Sequence, residues 1–355
     1  VLRTIWRLAV LFNVHVSPNA ILQTAKSKVG FDAPALQAQL VDLLRRHGLL
    51  RFTSKAEADR WLNSVKSPEL SPGEQKKWQE LVLSMYHKGR VVAADPAWAE
   101  DPESAKSPAD LEGLRRGAPI ISVTSSATYS RIFPDAETGM TEAFPGLEVG
   151  VAGSISESKL YRQRSDLLEK GSFPEGVSRD TVWLNLFAPF AAVSSEVVIF
   201  DKYLFSRLTE RPWDEHVGWM LKNLERHAKQ GASVKLIGSR GLPGQYGNES
   251  IPSNADAAEE VLRNSLPNHF DRLGSVELLL AESVKASHMH HDRHIRFSAG
   301  AGFEIPSGFD RLSYQNVREG FGFTYRWAPD SLRTLEERER DVLRGSGTRK
   351  VQLSF

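Results

Sequence analysis

Apolar and polar segments alternate regularly along the second half of the chain. Near 178–193 apolar residues recur at helical spacing, with Trp183 and Phe187 on one face, and this pattern predicts a helix. The uninterrupted apolar run at 196–200 predicts a buried strand. The later predicted elements are helices at about 214–229 and 254–266 and strands at 233–237, 276–280, 303–305 and 321–327. Such alternation predicts a largely parallel sheet covered on both faces, followed by an antiparallel hairpin region.

The first 66 residues show mostly helical spacing. The run LAVLFNV at 8–14 predicts a core helix, and the segment Asp32–His47 predicts a second helix that ends at Gly48. Followed by LLRF, this segment also fits a helix-turn-helix with a short wing. A small helical domain without DNA contact is the favoured interpretation, because the segment carries few exposed basic and amide side chains.

The region between residues 71 and 177 shows a mixed pattern. Ser71 and Pro72 open a predicted helix that runs to residue 88. The run IISVTSSATYSRIF from Ile120 and the run LEVGVAG from Leu147 each predict a strand. Residues 95–113 are rich in proline, alanine and acidic residues, which predicts an exposed loop or linker.

Composition narrows the classes of function. A chain of 355 residues predicts two or three domains. The sequence has 45 Lys and Arg and 44 Asp and Glu, so its overall charge is nearly balanced. This charge gives no argument for binding to nucleic acid or to an anionic membrane. The sequence has no cysteine, which excludes disulfides, thiol catalysis and Cys-ligated metals and suits a cytoplasmic protein. No apolar run approaches the roughly 20 residues of a membrane span, so none is predicted.

Four of the ten histidines lie within the seven residues 288–294. If this stretch is extended, alternate side chains point to opposite faces. One face would carry His288, His290, Asp292 and His294, and the other His291, Arg293 and Ile295. The cluster is therefore the predicted centre of any chemistry or ligand binding.

The second of these faces resembles the phospholipase D superfamily, whose signature is H-x-K-x4-D followed by a G-S-x-N-like turn. It is more similar to a divergent branch: the C-terminal domain of proteins with a microtubule-interacting-and-trafficking domain, and its bacterial relatives. That branch shows a D-P-Y-like strand end, then H-D-R-x-I, then a G-R-G-L-D-like turn. This chain has Asp201–Tyr203, His291–Ile295 and Ser307–Asp310 in that order. The resemblance covers about residues 178–330.

The resemblance implies a phosphate site at the carboxyl ends of the strands. His291 would be the nucleophile or phosphate contact, Arg293 the phosphate clamp, and Asp201 and Asp310 the orienting carboxylates. The predicted catalytic residues are His291, Arg293 and Asp310, and the predicted binding residues are Asp201, Lys202, Ser239, Arg240, Ser307 and Gly308. Ser239 and Arg240 belong to a glycine-rich loop that lacks the pattern of a P-loop or a dinucleotide fingerprint, and we interpret it as an ordinary loop.

The chain departs from the superfamily pattern at three points. Lysine is replaced by Arg293, Ser298 stands where the motif aspartate belongs, and residues 1–177 contain no second H-x-K-like element. Phosphodiester cleavage in the superfamily needs two histidines, one as nucleophile and one as general acid. Activity would require a homodimer that pairs two His291 side chains, or a substitute such as His288 or His290. Binding without cleavage is favoured, as in the branch that the chain resembles.

A metal site is the alternative on the first face. His288 and His290 suit zinc or manganese, but four ligands along one strand would spread over about 20 Å, too far for one ion. The prediction is therefore no metal and no cofactor, with this pair as the alternative.

We predict an α/β fold: a phospholipase-D-like mixed sheet flanked by helices, preceded by a helical N-terminal region. The predicted domains are 1–70, 71–177, 178–330 and a C-terminal helix and tail at 331–355. The predicted helix at 330–343 would present a solvated charged face, and the tail at 351–355 would pair as an edge strand or dock on a partner.

The predicted ligand contains phosphate, with nucleic acid favoured. The predicted protein partners are a second copy of the chain or a multi-protein complex. Bacterial relatives in the resembling branch are often found in defence systems. A recruitment module that binds a headgroup or protein is the second hypothesis, and a metal-dependent hydrolase the third.

Overall fold

The structure is a computed structural model with an α/β fold, which confirms the predicted class. It describes residues 10–26, 32–92, 102–115, 119–137, 139–205, 217–239, 270–281, 293–344 and 349–354. The chain divides into two compact units, Val1–Leu167 and Leu168–Phe355.

The first unit is built on a six-stranded sheet. Its strands are β1 (Phe12–Val16), β2 (Gly48–Arg51), β3 (Val91–Val92), β4 (Ile120–Val123), β5 (Met140–Phe144) and β6 (Leu147–Gly150). Its helices are α1 (Pro18–Lys26), α2 (Asp32–Arg46), α3 (Lys55–Ser64), α4 (Pro72–His87), α5 (Glu112–Arg115), α6 (Ser126–Ile132) and α7 (Lys159–Lys170). The strand order is β3-β2-β1-β4-β6-β5, and every neighbouring pair is parallel except β5 with β6.

Two strands lie where the sequence predicts helix or a wing. The prediction of a core helix through LAVLFNV is wrong over its last three residues, 12–14, which belong to β1 (Phe12–Val16). Val14 and Val16 are fully buried on one side of the sheet and His15 on the other. A short apolar run buried on both faces has no periodicity that separates strand from helix. The segment proposed as a wing is β2, which pairs in parallel with β1 and β3 inside the sheet.

The run IISVTSSATYSRIF combines a strand and a helix. Only Ile120–Val123 are extended, because Ser125 then caps α6 by accepting a hydrogen bond from the backbone of Thr128. The predicted helix at 71–88 is confirmed as α4, and Ser71 with Glu74 forms its capping box.

A buried polar chain joins the sheet of the first unit to α3. His15 shares hydrogen bonds with Ser122 (2.9 Å) and Glu57 (2.6 Å), and all three side chains are fully buried. Glu57 also accepts from the hydroxyl of Thr53 at 2.7 Å. Burial alone would raise the pKa of Glu57, but the charge of His15 and hydrogen bonds from His15 and Thr53 lower it to about 2.

The second unit is built on a seven-stranded mixed sheet. Among the described residues the unit has nine strands, seven of them in this sheet: β7 (Ser172–Phe173), β8 (Glu196–Phe200), β9 (Ala232–Ser239), β10 (Leu273–Ala281), β11 (His294–Phe297), β12 (Ala301–Glu304), β13 (Phe321–Gly322), β14 (Thr324–Arg326) and β15 (Arg349–Ser354). Its helices are α8 (Arg179–Leu186), α9 (Ala188–Ala191), α10 (Val217–His227) and α11 (Pro329–Leu343). The sheet order is β14-β12-β11-β8-β9-β10-β15, and β7 pairs separately with β13.

The parallel core and antiparallel end of this sheet agree with the sequence pattern. β8, β9 and β10 are parallel neighbours, and β11, β12 and β14 continue the sheet in antiparallel pairs. The tail forms β15, an edge strand antiparallel to β10, which confirms the first of its two predicted roles. The helix predicted at 254–266 lies outside the described residues.

The two sides of β11 face different surroundings. Ile295 and Phe297 are buried on the side of the aromatic rings of Phe187 and Phe190. His294 faces the opposite side, where it stacks on Phe200. Strand alternation therefore separates an apolar face from a polar one.

The C-terminal helix covers the polar face of β11. Glu339 of α11 accepts hydrogen bonds from Arg296 at 2.8 and 2.6 Å and contacts His294 at 2.9 Å. Glu339 is only 6% exposed, so the prediction that this helix presents only a solvated charged face is wrong. Leu335 and Val342 of α11 are also buried, since helical spacing gives the helix one face against the sheet. Among the described helices, none combines the length and apolarity needed to cross a membrane.

We predict that Glu57→Gln lowers the free energy of unfolding at pH 7 by about 3 kcal/mol, because it removes the carboxylate from its buried pair with His15. The stabilisation by Glu57 is present above the ordinary carboxyl pKa and is lost as the pH falls towards the folded value of about 2. Urea unfolding of both proteins should show a gap that closes as the pH falls from about 5 towards 2. The exposed substitution Glu80→Gln is the control, and a gap independent of pH would contradict the assignment.

Candidate functional site

The register of β11 against β8 positions the centre of the site. His294 pairs with Phe200 across the two antiparallel strands. Arg293, which precedes β11, therefore lies opposite Asp201, which follows β8. The two side chains form an ion pair with Arg293 Nε 3.6 Å from Asp201 Oδ1.

Asp201 is a buried carboxylate that organises the backbone around it. It accepts hydrogen bonds from the backbone N–H of Tyr203 (2.8 Å) and of Phe309 (3.3 Å), and it is 3% exposed. Burial raises the pKa of Asp201, while Arg293 and the two backbone donors act in the opposite direction. The carboxylate thus ties the end of β8 to the turn that follows β12.

That turn requires glycine at position 308. Gly308 has φ +82° and ψ 166°, a conformation that side chains disfavour strongly. A Cβ at this position would lie 2.7 Å from Asp310 Oδ1 and would collide with the guanidinium of Arg293. The backbone of the turn therefore approaches Arg293 closely, and Pro306 O lies 3.5 Å from Arg293 Nη1.

The two cations of the site lie near the same aromatic ring. Arg293 Cζ lies 5.3 Å and Lys202 Nζ 5.5 Å from the centre of the Tyr203 ring. Burial, followed by the charge of Arg293, lowers the pKa of Lys202. Lys202 is 5% exposed and the Arg293 side chain 16%. Two cations thus lie close together with little solvent around them.

Two polar atoms in this region are buried without a partner among the described residues. They are Nε of Arg293, for which the 3.6 Å to Asp201 is too long for a hydrogen bond, and Oγ of Ser307. Buried polar atoms are nearly always hydrogen-bonded in folded proteins. We call Asp201, Lys202, Arg293, Ser307 and Gly308 the Arg293 site. Its unused donors and its two cations suit an anion with several acceptor oxygens.

The other predicted residues fall into two groups. Asp310 lies beside Gly308, and Ser239, at the end of β9, donates from its backbone to Lys202 O at 3.2 Å. Ser298 lies beyond the far end of β11, where its hydroxyl accepts from the backbone of Glu196. Outside the described residues lie His288, His290, His291, Asp292 and Arg240. The roles predicted for all of these residues remain predictions.

Strand alternation places His294 on the face proposed for a metal, and its observed partner is Glu339 instead. Sequence reasoning missed this pairing. One signal points to it: two basic positions two apart on a strand, His294 and Arg296, match two acidic positions three apart on a helix, Glu336 and Glu339. Among the described residues, no group of three or more His, Cys, Asp or Glu has the arrangement of a metal site.

No protein-family model matches the chain, and no curated protein matches it. Among solved structures, the chain is similar to phosphatidylserine synthase of Haemophilus influenzae Rd KW20. The identity is 12% and the TM-score 0.32, and the similarity covers 56% of this chain and 47% of that one.

We predict that Gly308→Ala lowers the free energy of unfolding by about 2–4 kcal/mol, because it combines backbone strain with a collision against Arg293. Gly176→Ala is the matched control: Gly176 has φ +84°, but a Cβ there would meet no neighbouring atom within 4 Å. Strain alone should cost that variant about 1–2 kcal/mol. Urea unfolding measures both, and equal losses would contradict the close approach of Arg293 to the turn.

Proposed function

We propose that the second unit binds a phosphoryl group at the Arg293 site and that nucleic acid supplies this group. The observation that carries the proposal is the guanidinium of Arg293, which is largely buried while its Nε has no hydrogen-bond partner among the described residues. A buried cation with an unused donor is costly, so an acceptor that reaches it stabilises the complex. Phosphate oxygens match the planar donors of arginine.

The neighbours of Arg293 support an anionic ligand. Lys202 adds a second positive charge, and the hydroxyl of Ser307 adds a donor. Asp201 already accepts hydrogen bonds from two backbone N–H groups and forms an ion pair with Arg293. We therefore assign Asp201 to positioning of the turn and of Arg293, rather than to contact with the ligand.

Cleavage is the finer form of this proposal. By its resemblance to phospholipase D, His291 would attack phosphorus, and Arg293 would hold the phosphate oxygens two residues away. A second histidine must protonate the leaving oxygen, so two copies of the chain would have to pair their His291 side chains, or His288 or His290 would have to take this role. Residues 1–177 contain no second element of this kind, which favours binding without cleavage.

The test of binding is a titration with a labelled single-stranded oligonucleotide at fixed salt, because phosphate contacts depend on ionic strength. Arg293→Ala should weaken binding at least tenfold, since a hydrogen bond to a charged group contributes about 1.5–3 kcal/mol. Arg293→Lys keeps the charge and should retain part of the affinity. Arg318→Ala removes an exposed cation of the same unit, at a position stacked on Tyr314, and should have less than about a threefold effect.

Other outcomes separate the alternatives. Equal weakening by Arg293→Ala and Arg318→Ala would contradict a specific site. Binding to phosphatidylserine vesicles but not to the oligonucleotide would make a lipid headgroup the source of the phosphoryl group. Cleavage in EDTA that is lost in His291→Ala would establish the phosphodiesterase. Cleavage abolished by EDTA and by His290→Ala would favour the metal-dependent alternative.

A further inference from the structure

The first unit contains a cavity of about 300 Å³ between α2 and α4. It is lined by five residues of α2 and three of α4: Gln37, Ala38, Val41, Asp42, Arg45, Glu74, Lys77 and Trp78. This volume is at the lower end of the range for small-molecule sites. The proposed function of the second unit makes no use of it.

Two of the lining residues have buried nitrogen atoms without a partner among the described residues. Gln37 is 6% exposed and Trp78 is fully buried, and the unpartnered atoms are Nε2 of Gln37 and the indole Nε1 of Trp78. Both atoms are donors, and a buried donor without an acceptor costs about 1–3 kcal/mol. An occupant that accepts hydrogen bonds from both of them removes this cost.

The charges around the cavity favour an anion. Both acidic residues of its lining already have partners. Asp42 forms an ion pair with Arg46 at 2.8 Å, and the carboxylate of Glu74 accepts hydrogen bonds from Ser71 N and Oγ, each at 2.7 Å. Among the described residues, Arg45 and Lys77 have no ion-pair partner, and both side chains are exposed. The cavity thus has two cations without an ion-pair partner in the described part of the chain, while both of its carboxylates are engaged.

The walls of the cavity suit an apolar body. Val41, Ala38 and the ring of Trp78 contribute apolar surface between the two helices. We infer that this cavity binds a small organic carboxylate, whose oxygens accept from Gln37 and Trp78 and whose charge is attracted by Arg45 and Lys77. The site is separate from the Arg293 site and binds a different class of ligand.

The experiment uses the full chain labelled with ¹⁵N-tryptophan and follows the indole N–H signal of Trp78, assigned with Trp78→Phe. Benzoate and hexanoate are the probes, and benzamide is the neutral counterpart of benzoate. We expect both carboxylates to shift the Trp78 signal saturably, and benzamide to bind at least fivefold more weakly, since it lacks the charge.

Single substitutions test which side chains contact the bound carboxylate. Gln37→Leu should raise the benzoate Kd about tenfold, and Lys77→Ala about threefold, in line with a buried hydrogen bond and an exposed charge. Lys77→Ala alters only an exposed side chain, so it keeps the test valid if Gln37→Leu does not fold. Lys76→Ala is the matched control, because Lys76 is exposed on the same helix but does not line the cavity; its Kd should stay within twofold.

Three results would overturn the inference. The first is the absence of a saturable shift of the Trp78 signal with either carboxylate. The second is equal affinity for benzamide and benzoate, which would show that charge plays no part. The third is an equal effect of Lys76→Ala and Lys77→Ala, which would show general attraction to the exposed lysines of α4 rather than binding in the cavity.

Discussion

The antiparallel pairing of β11 with β8 is the constraint on which the second unit depends. The pairing of His294 with Phe200 decides which side chains enter the core and which reach the edge of the sheet. A slip by one residue would turn Phe297 out of the aromatic core and remove Arg296 from Glu339. The same register leaves Arg293 opposite Asp201, so the requirements of the core and the geometry of the site are satisfied together.

Three other largely buried charged residues of the chain have hydrogen-bond or ion-pair partners. Arg90, 1% exposed, donates to the carbonyls of Leu44, Arg45 and Gly48 and so completes the end of α2. Glu57 is paired in the first unit and Arg296 in the second. Arg293 differs from these because one of its donors has no acceptor among the described residues. Such an unsatisfied buried donor indicates a place for a ligand.

Much of the second unit follows from local sequence pattern. β8 is mostly an apolar run and β9 and β10 are largely apolar, and α10 connects the parallel neighbours β8 and β9. The carboxyl ends of parallel strands lie at one edge of the sheet, and the sequence alone therefore predicts that Asp201 and the segment of Arg293 lie near each other. In the structure, antiparallel β11 begins at the edge where β8 ends. The sequence predicts Gly308 only as a binding residue, and its positive φ and its close approach to Arg293 are seen only in the structure.

Other features depend on contacts that local pattern does not specify. The partner of His294 lies 45 positions away on α11, so no local periodicity links the two. In the first unit, Phe12–Val16 are buried on both faces and carry no alternation that separates a strand from a helix. Apart from the antiparallel pair β5–β6, the six-stranded sheet is set by parallel pairing of short strands distant in sequence, and this pairing becomes visible only in three dimensions.

The central claim is that Nε of Arg293, which has no hydrogen-bond partner among the described residues, contacts an anion. Its most direct test is the ¹⁵N signal of the Arg293 Nε–H group, assigned with Arg293→Lys, during titration with inorganic phosphate at constant ionic strength. The account predicts a saturable shift of this signal while the exposed Arg333 on α11 stays unchanged. A signal that does not move, or that moves in step with Arg333, would contradict it.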